Sequence, residues 1–278
     1  MNVLEFTALV FGTSLFAGFL GSLTGLGGGV VIVPVLTLLF RVDLHYAIGA
    51  SLISVIATSS GSAAIYVRKG LSNIRIGMFL EVATTLGALL GAYLTARTTS
   101  HTIAVVFGFV LLYSAYLSLR MQPHARMALK TDALAARLKL SGNESTPAGP
   151  EPYSAQHVPL GFGIMFGAGT LSGLLGIGSG AVKVLAMDHA MKLPFKVSTT
   201  TSNFMMGVTA AASAGIYLAK GYVDPAIAMP VTLGVLAGSL IGSQVLVQAP
   251  VKPLKVVFSM VIVTLGLEMI FNGFTGRI

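Results

Sequence analysis

Two glycine-rich stretches, at 21–33 and 172–184, decide how this chain folds. The first reads Gly21-Ser22-Leu23-Thr24-Gly25-Leu26-Gly27-Gly28-Gly29-Val30-Val31-Ile32-Val33, and the second reads Ser172-Gly173-Leu174-Leu175-Gly176-Ile177-Gly178-Ser179-Gly180-Ala181-Val182-Lys183-Val184. They lie inside apolar blocks, at 4–40 and 157–191, that are too long for one membrane span and too short for two spans with a turn. Because glycine lets a backbone leave a helix cheaply, we predict in each block a helix, a broken loop near the bilayer midplane and a short returning half-helix.

The composition predicts a polytopic α-helical membrane protein. Of the 278 residues, 54% are hydrophobic and 9% are charged, whereas a soluble domain carries about 25% charged residues. So few charges cannot solvate a globule of this size, and the surrounding solvent must be lipid. Further apolar blocks follow at 44–67, 74–96 and 101–119, and again at 194–219, 222–248 and 254–274. The expected fold is all-α.

Several functional classes are disfavoured by residue usage. The chain has no cysteine, which excludes disulfides, thiolate metal sites and cysteine nucleophiles. The net charge is +8, but the basic residues are scattered singly apart from one central cluster, so a nucleic-acid surface is not expected. The five histidines lack metal-binding spacing, and the glycine loops lack a nucleotide-binding fingerprint. We expect no cofactor, no metal and no nucleic-acid partner.

The two halves of the chain align at an offset of 151 residues. The glycine ladders match, as do the pairs Ile65-Tyr66 with Ile216-Tyr217 and Lys69-Gly70 with Lys220-Gly221. This pattern predicts a duplication, with repeat one at 4–120, a linker at 121–156 and repeat two at 157–276. Each repeat contains four apolar segments. The repeats could run parallel or inverted, and we favour the inverted arrangement, with the two glycine loops meeting near the bilayer midplane.

The linker is the soluble-looking part of the chain. Its first part, Arg126 to Leu140, places Met127, Leu134 and Leu138 on one stripe, which is typical of an amphipathic helix on a membrane surface. Its basic residues favour the cytoplasmic side. Its second part, Ser141 to Tyr153, contains three prolines and is expected to be a flexible connector.

We interpret the two glycine loops as parts of an anion-binding site. Interrupted segments at matching positions of two repeats point to a transporter site, and a helix N-terminus attracts anions. Lys183, on the second returning half-helix, would add a full positive charge at membrane depth, where a lysine is costly and indicates function. The alternatives are glycines that only permit packing and a lysine that reaches a headgroup region. The predicted substrate-binding residues are Gly27, Gly28, Gly29, Gly178, Ser179, Gly180, Lys183, Thr200 and Asn203.

Other polar residues within the apolar blocks leave alternatives open. Glu81 and Asp188 are candidates for carrying a coupling proton, although a satisfied structural carboxylate is equally compatible with Glu81. Thr200 and Asn203 lie three residues apart and can share a helix face, but such residues also cap helices or bond to preceding carbonyls. Ser179 and Lys183 are four apart, so a Ser–Lys hydrolase has to be weighed. We expect no enzyme, because nothing else indicates an oxyanion hole or a water path.

The two glycine stretches, together with Thr200-Thr201-Ser202-Asn203-Phe204-Met205-Met206-Gly207-Val208-Thr209, resemble the sulfite exporter TauE/SafE family, also called the toluene sulfonate uptake permease family. The likeness extends over nearly the whole chain except the linker. This chain departs from the family pattern at Ser179, where glycine is usual, at Leu185, where proline is usual, and at Asp188, where many relatives are uncharged.

The resemblance implies transport of sulfite, organosulfonates or related sulfur or carboxylate anions across a prokaryotic plasma membrane. The expected partners are a small anion, lipid and a coupling proton or cation, and the oligomeric state is left open. Alternating access is the expected mechanism. The competing classes are a passive anion channel, the intramembrane hydrolase and a non-transporting scaffold.

Overall fold

The computed structural model of the chain describes residues 2–24, 28–95, 97–120, 132–146, 149–248 and 251–276. Eight long helices carry most of these residues: α1 (Val3–Thr24), α3 (Leu44–Arg68), α4 (Ile74–Thr95), α5 (Ser100–Arg120), α7 (Val158–Leu175), α9 (Phe195–Ala219), α10 (Pro225–Gln248) and α11 (Val251–Thr275). The short elements are α2 (Gly29–Pro34), α6 (Ala133–Arg137), α8 (Gly180–Leu185), β1 (Ser141–Thr146) and β2 (Gly149–Ser154).

Five of the helices are long and apolar enough to cross a membrane by length and composition. They are Leu4–Ser22, Leu44–Arg68, Ile74–Thr95, Val158–Leu175 and Pro225–Gly242. Large apolar side chains on these helices, such as Leu86 and Leu233, are more than half exposed, as expected for a surface that contacts lipid. The chain is therefore a multi-pass helical membrane protein, as its composition predicts.

A long helix ends before each predicted glycine break and a short helix begins after it, with residues 25–27 of the first break lying outside the described residues. The first long helix ends at Thr24 and α2 begins at Gly29, while α7 ends at Leu175 and α8 begins at Gly180. Each short helix continues into a π-helical turn, at Val35–Leu39 and Ala186–Ala190. The resulting 11-residue segments are about 16 Å long at 1.5 Å per residue. That is close to half of a bilayer core, which is about 30 Å thick.

The second break contains three residues with positive φ, at positions 176, 178 and 179. Gly176 and Gly178 both have φ of +68°, and Ser179 has φ of +45°. A side chain is disfavoured in this region, whereas glycine enters it freely. The two glycines thus account for why the chain can reverse direction between α7 and α8 at this point.

Tight glycine contacts join α1 to α10. A Cβ added to Gly238 of α10 would clash with the carbonyl oxygen of Leu15, and one added to Gly242 would press on that of Phe19. Since both residue numbers increase together, the two helices run in the same direction. Small residues allow this close backbone approach, which supplies packing where lipid removes the hydrophobic drive.

The helix pair α4 and α7 is joined in the same manner. Gly87 and Gly91 of α4 lie against the carbonyl oxygens of Phe166 and Thr170 of α7. These two helices therefore also run in the same direction, and each long contact links the first half of the chain to the second.

Helices α3 and α9 lie side by side and run in opposite directions. Near the start of α9, the hydroxyl of Thr200 donates to the carbonyl of Leu71, which follows α3, at 2.7 Å. At the other end, Gly49 of α3 packs against the carbonyl of Tyr222, which follows α9. The end of each helix therefore lies beside the start of the other.

The described part of the linker packs over one end of the helix bundle, which we call the linker end (69–75, 132–146, 149–157 and 191–196). There the amide of Asn73 donates to the Tyr153 hydroxyl at 3.0 Å, and the backbone N–H of Gln156 donates to the carbonyl of Met191 at 2.9 Å. The opposite end comprises 41–45, 97–101 and 220–224. The rings of His45 and Tyr222 meet there at 5.0 Å.

The second part of the linker is a β-hairpin, so the expectation of a flexible connector at Ser141 to Tyr153 was wrong, as was a strictly all-α fold. Strands β1 and β2 pair antiparallel, with Ser141 opposite Ser154. Two prolines fit because both lie in β2, which has a single neighbouring strand, so their missing N–H groups can point away from the ladder. Of the predicted amphipathic helix, Arg126 to Thr131 and thus Met127 lie outside the described residues. The described part contains α6, and both Leu134 in this helix and Leu138 directly after it are exposed.

Candidate functional site

Lys183 is completely buried inside the helix bundle. Its relative exposure is 0%, and its Nζ donates a hydrogen bond to Oγ1 of Thr209 at 2.6 Å. A helical side chain leans toward the N-terminus of its own helix, so Lys183 leans back toward the glycine break. The ammonium does not reach the protein surface, contrary to the alternative of a lysine in a headgroup region.

A single hydroxyl connects this ammonium to a carboxylate. Thr209 donates to Oε1 of Glu81 at 2.6 Å, and Thr85 donates to the same oxygen at 3.1 Å. The other oxygen, Oε2, is buried and has no hydrogen-bond partner among the described residues. Lys183, Thr209 and Glu81 therefore form one buried polar chain, which we call the Lys–Thr–Glu chain.

The Lys–Thr–Glu chain lies near mid-height of the bundle. Thr209 is the 15th of the 25 residues of α9, roughly 21 Å from its start and 15 Å from its end at 1.5 Å per residue. Glu81 is level with it, because Thr84, one turn further along α4, lies 3.4 Å from the Thr209 hydroxyl. A charge pair at this depth is far from either polar surface.

The two glycine breaks meet beside this chain. Gly29, the first residue of α2, lies against the carbonyl oxygen of Gly176, to which the Ser51 hydroxyl donates at 2.6 Å. A Cβ on Gly29 would press on both groups, so the contact requires glycine. Gly178 packs against Met206 of α9, and Gly180 accepts a long hydrogen bond of 3.4 Å from Ser202. Gly28 lies next to Thr58.

Ser179 connects the break to α8 without pairing with Lys183. Its hydroxyl is buried and has no partner among the residues that the structure describes, while its carbonyl accepts the backbone N–H of Lys183 at 3.1 Å. Because the Lys183 ammonium donates to Thr209 instead, the geometry does not form the nucleophile–base pair that a hydrolase needs.

The remaining predicted residues are distributed around this centre. The hydroxyl proton of Thr200 is directed at backbone carbonyls of Leu71 and Lys196, so Thr200 ties two chain segments together. Asn203 donates to the carbonyl of Thr199 at 3.2 Å, and its buried Oδ1 has no partner within the described part of the chain. Gly27 lies outside the described residues.

Asp188 is buried in the second π-helical turn. Its Oδ2 lies 3.7 Å from Nε2 of His189, whose side chain is 40% exposed. This carboxylate therefore has an ionisable neighbour that reaches toward solvent, unlike Glu81.

Sequence reasoning did not single out Thr209, although this residue joins the two charges. Its position in the repeat could have indicated it. Thr58 and Thr209 are 151 residues apart, so each half has a threonine at the equivalent position of the equivalent apolar helix, α3 or α9. In α3, Thr58 only donates to the carbonyl of Ser54 at 2.9 Å. The same residue type is thus used for backbone bonding in one half and for charge bridging in the other.

The matches to known proteins extend over nearly the whole chain. The family model described as sulfite exporter TauE/SafE matches residues 10–269. "Probable membrane transporter protein YunE" of Bacillus subtilis (strain 168) is 31% identical over 268 residues, covering 93% of this chain and 95% of that protein.

More distant relatives come from bacteria and archaea. "Probable membrane transporter protein YdhB" of Bacillus subtilis (strain 168) is 27% identical and covers 95% of this chain and 98% of its own length. "Probable membrane transporter protein MJ0441" of Methanocaldococcus jannaschii is 24% identical, with 91% of each chain covered. No solved structure matches the chain.

Proposed function

This chain belongs to the sulfite exporter TauE/SafE family of membrane transporters, and we propose that it is a secondary transporter that moves a small anion across the prokaryotic plasma membrane by alternating access. The substrate class we propose is sulfite, an organosulfonate or a related carboxylate. The observation that carries the proposal is the ammonium of Lys183, fully buried at mid-height of the bundle. A buried cation at membrane depth is costly and is retained for function.

The architecture that we propose consists of two inverted repeats, 4–120 and 157–276, joined by the linker 121–156. The support is the antiparallel packing of α3 on α9, which begin at Leu44 and Phe195, 151 residues apart. Equivalent contacts also recur with the halves exchanged. Gly87 meets Phe166, and Gly238 meets Leu15, and each residue of one pair is 151 residues from its counterpart in the other.

Inverted repeats supply a mechanism for alternating access. If the two halves adopt slightly different conformations, exchanging those conformations moves the opening from one membrane face to the other. In the described conformation Lys183, Ser179 and Thr209 are all buried to at most 2% exposure. An anion could reach the ammonium only after helices move, which favours a carrier over a permanently open channel.

The anion site that we propose is centred on Lys183 and the meeting point of the two breaks. Ser179 contributes a buried hydroxyl that has no partner in the described part of the chain, and the glycines at 28, 29, 178 and 180 let backbone approach closely. Asn203 remains in the site because its buried Oδ1 has no partner within the described part of the chain, and turning the amide over would present its N–H donors to an anion at that edge. Thr200 is left out, since its proton is committed to backbone carbonyls.

Purified protein is expected to bind and move such anions. In detergent, a panel of sulfite, methanesulfonate, 4-toluenesulfonate and acetate is screened by thermal shift, because a ligand that binds the folded state raises the melting temperature. Anions that shift the transition are then tested for saturable flux in proteoliposomes. Stabilisation by at least one of these anions with saturable flux is the expected result; no stabilisation and no flux across the panel would refute the proposed function.

The orientation follows from the charges at the two ends. The basic residues with described side chains at or next to the linker end are Arg68, Lys69, Arg75, Arg137, Lys139, Lys192 and Lys196, and those at the opposite end are Arg41, Arg97 and Lys220. Basic residues prefer the cytoplasmic side. The linker end is therefore cytoplasmic in our proposal, and the ends of the bundle where α1 begins and α11 finishes face outward.

Reporter fusions should show this orientation directly. Alkaline phosphatase, which folds only outside the cytoplasm, is expected to be active when fused behind α11, whereas green fluorescent protein should fluoresce when inserted between β1 and β2. Swapping the two reporters gives the controls. Green fluorescent protein behind α11 should not fluoresce, and alkaline phosphatase between β1 and β2 should be inactive. Fluorescence at both positions would contradict the direction we assign to α11, while an inverted result at both would contradict only the orientation.

A further inference from the structure

The two charges of the Lys–Thr–Glu chain, one from each half of the protein, have no charged counterparts at the equivalent positions of the other half. At the offset of 151 residues, Lys183 corresponds to Ile32 and Glu81 corresponds to Thr232. The site is therefore chemically asymmetric within a duplicated framework. We therefore look for the coupling chemistry at mid-height in the residues of the Lys–Thr–Glu chain.

The ammonium and the carboxylate compensate each other in the described conformation. They are linked through one hydroxyl, with two bonds of 2.6 Å, and both are buried. A single uncompensated charge at this depth is very costly, whereas a hydrogen-bonded pair is tolerated. Adding a monovalent anion to Lys183 would give the region a net charge of −1, unless another group changes its protonation state.

Few other ionisable groups face this region. Helix α7 contains none, and α9 has the exposed Lys196 in its first turn and the buried Tyr217 near its end, whose hydroxyl donates to the carbonyl of Gly173. Helix α4 has, besides Glu81, Arg75 at its exposed start and the half-exposed Tyr93 near its end. Helix α5, which touches α8, has His101 and Arg120 at its ends and the half-exposed Tyr113 and Tyr116 between them. The π-helical turn after α8 contributes Asp188 and His189, which lie beside each other.

We propose that Glu81 takes up one proton for each monovalent anion that binds at Lys183, so that transport is an electroneutral symport of anion and proton. This inference rests on the proposed function. The carboxylate of Glu81 becomes a carboxylic acid when Oε2, the oxygen without a partner among the described residues, accepts a hydrated proton from the aqueous phase on the side from which the anion enters. Oε1 keeps its bond from Thr209, and the ammonium of Lys183 exchanges the carboxylate for the anion as its counter-ion. On release the proton and the anion leave together.

The proposal is tested with Glu81→Gln, because glutamine has the shape of the protonated acid and can still accept from Thr209. Methanesulfonate is the probe, since its charge does not change over the pH range used. In the wild type, its affinity should fall tenfold per pH unit wherever Glu81 is ionised in the free protein, as required when one proton is bound with each anion. Over the pH range in which Lys183 stays charged in both proteins, the affinity of Glu81→Gln should be independent of pH, and it should exceed that of the wild type wherever Glu81 is ionised.

Proteoliposomes provide the second measurement. With a pH-sensitive dye inside, methanesulfonate entry through the wild type should acidify the lumen one-for-one and should not respond to an imposed membrane potential. Glu81→Gln should lose the acidification, and any remaining flux should become potential-dependent. Glu268→Gln, which removes an exposed carboxylate on α11, is the matched control and should keep the wild-type pH dependence.

The outcomes separate this inference from the proposed function. Wild-type affinity and flux that do not vary with pH, or a Glu81→Gln variant with unchanged pH dependence, would overturn the coupling role and leave the anion transporter intact. Failure of the wild type to bind methanesulfonate at any pH would overturn the organosulfonate assignment, and this inference with it.

Discussion

Lys183→Met is expected to reduce anion uptake by about 100-fold or more. Removing one partner of a buried hydrogen-bonded charge pair costs about 2–5 kcal/mol, and here the removed group is also the proposed counter-ion of the substrate. Methionine keeps most of the volume but cannot donate to Thr209, with which Lys183 forms a bond of 2.6 Å. Initial rates of uptake into proteoliposomes, normalised to folded protein, give the measurement.

This variant alone would leave Glu81 buried without its counter-charge, which can destabilise the protein by about 3–5 kcal/mol. The double variant Lys183→Met with Glu81→Gln removes both charges and keeps the region neutral. We expect the double variant to fold like the wild type and still to show no anion binding. Wild-type uptake in either variant would exclude Lys183 from the site, whereas recovery of folding without uptake separates the binding role from a structural one.

Gly169→Ala is expected to destabilise the protein by about 3 kcal/mol, the upper end of the usual cost of overpacking. A Cβ at Gly169 of α7 would clash with the carbonyl oxygen and the Cα of Thr84. These are backbone atoms of α4, so no side-chain rotation can relieve the clash and the two helices must separate. The shift should appear as a lower melting temperature in detergent. Because Thr84 lies one turn from Glu81, anion affinity should also fall.

Gly167→Ala is the matched control, two residues away on the same helix. A Cβ there has no atom within 4 Å, and alanine is favoured over glycine in a helix by roughly 0.5–1 kcal/mol. The melting temperature of this variant should remain equal to that of the wild type or rise. Equal destabilisation by the two substitutions would contradict the close contact between α4 and α7.

Hydropathy and glycine placement were sufficient to predict the helical segments. The apolar block 44–67 corresponds to α3 (Leu44–Arg68), and the breaks fall within the predicted glycine clusters. These features are local, because a membrane span is limited by the thickness of the bilayer and a break by the conformational freedom of glycine. The hairpin in the linker was not predictable in this way, since Ser141–Thr146 has little β propensity and pairs only because β2 lies opposite.

The sequence alone determined the class of protein, the positions of the helices and the unusual lysine at membrane depth. Only the tertiary structure decided what that lysine contacts: Glu81 and Thr209 are 128 residues apart in the chain and meet because α4 packs beside α9. It also placed α3 antiparallel to α9. A contact between side chains on two helices depends on how the helices rotate and pack, which hydropathy does not encode. The cost of exposing polar groups to lipid, in contrast, depends only on the residues of each segment, so the sequence is enough to predict which segments are helical spans.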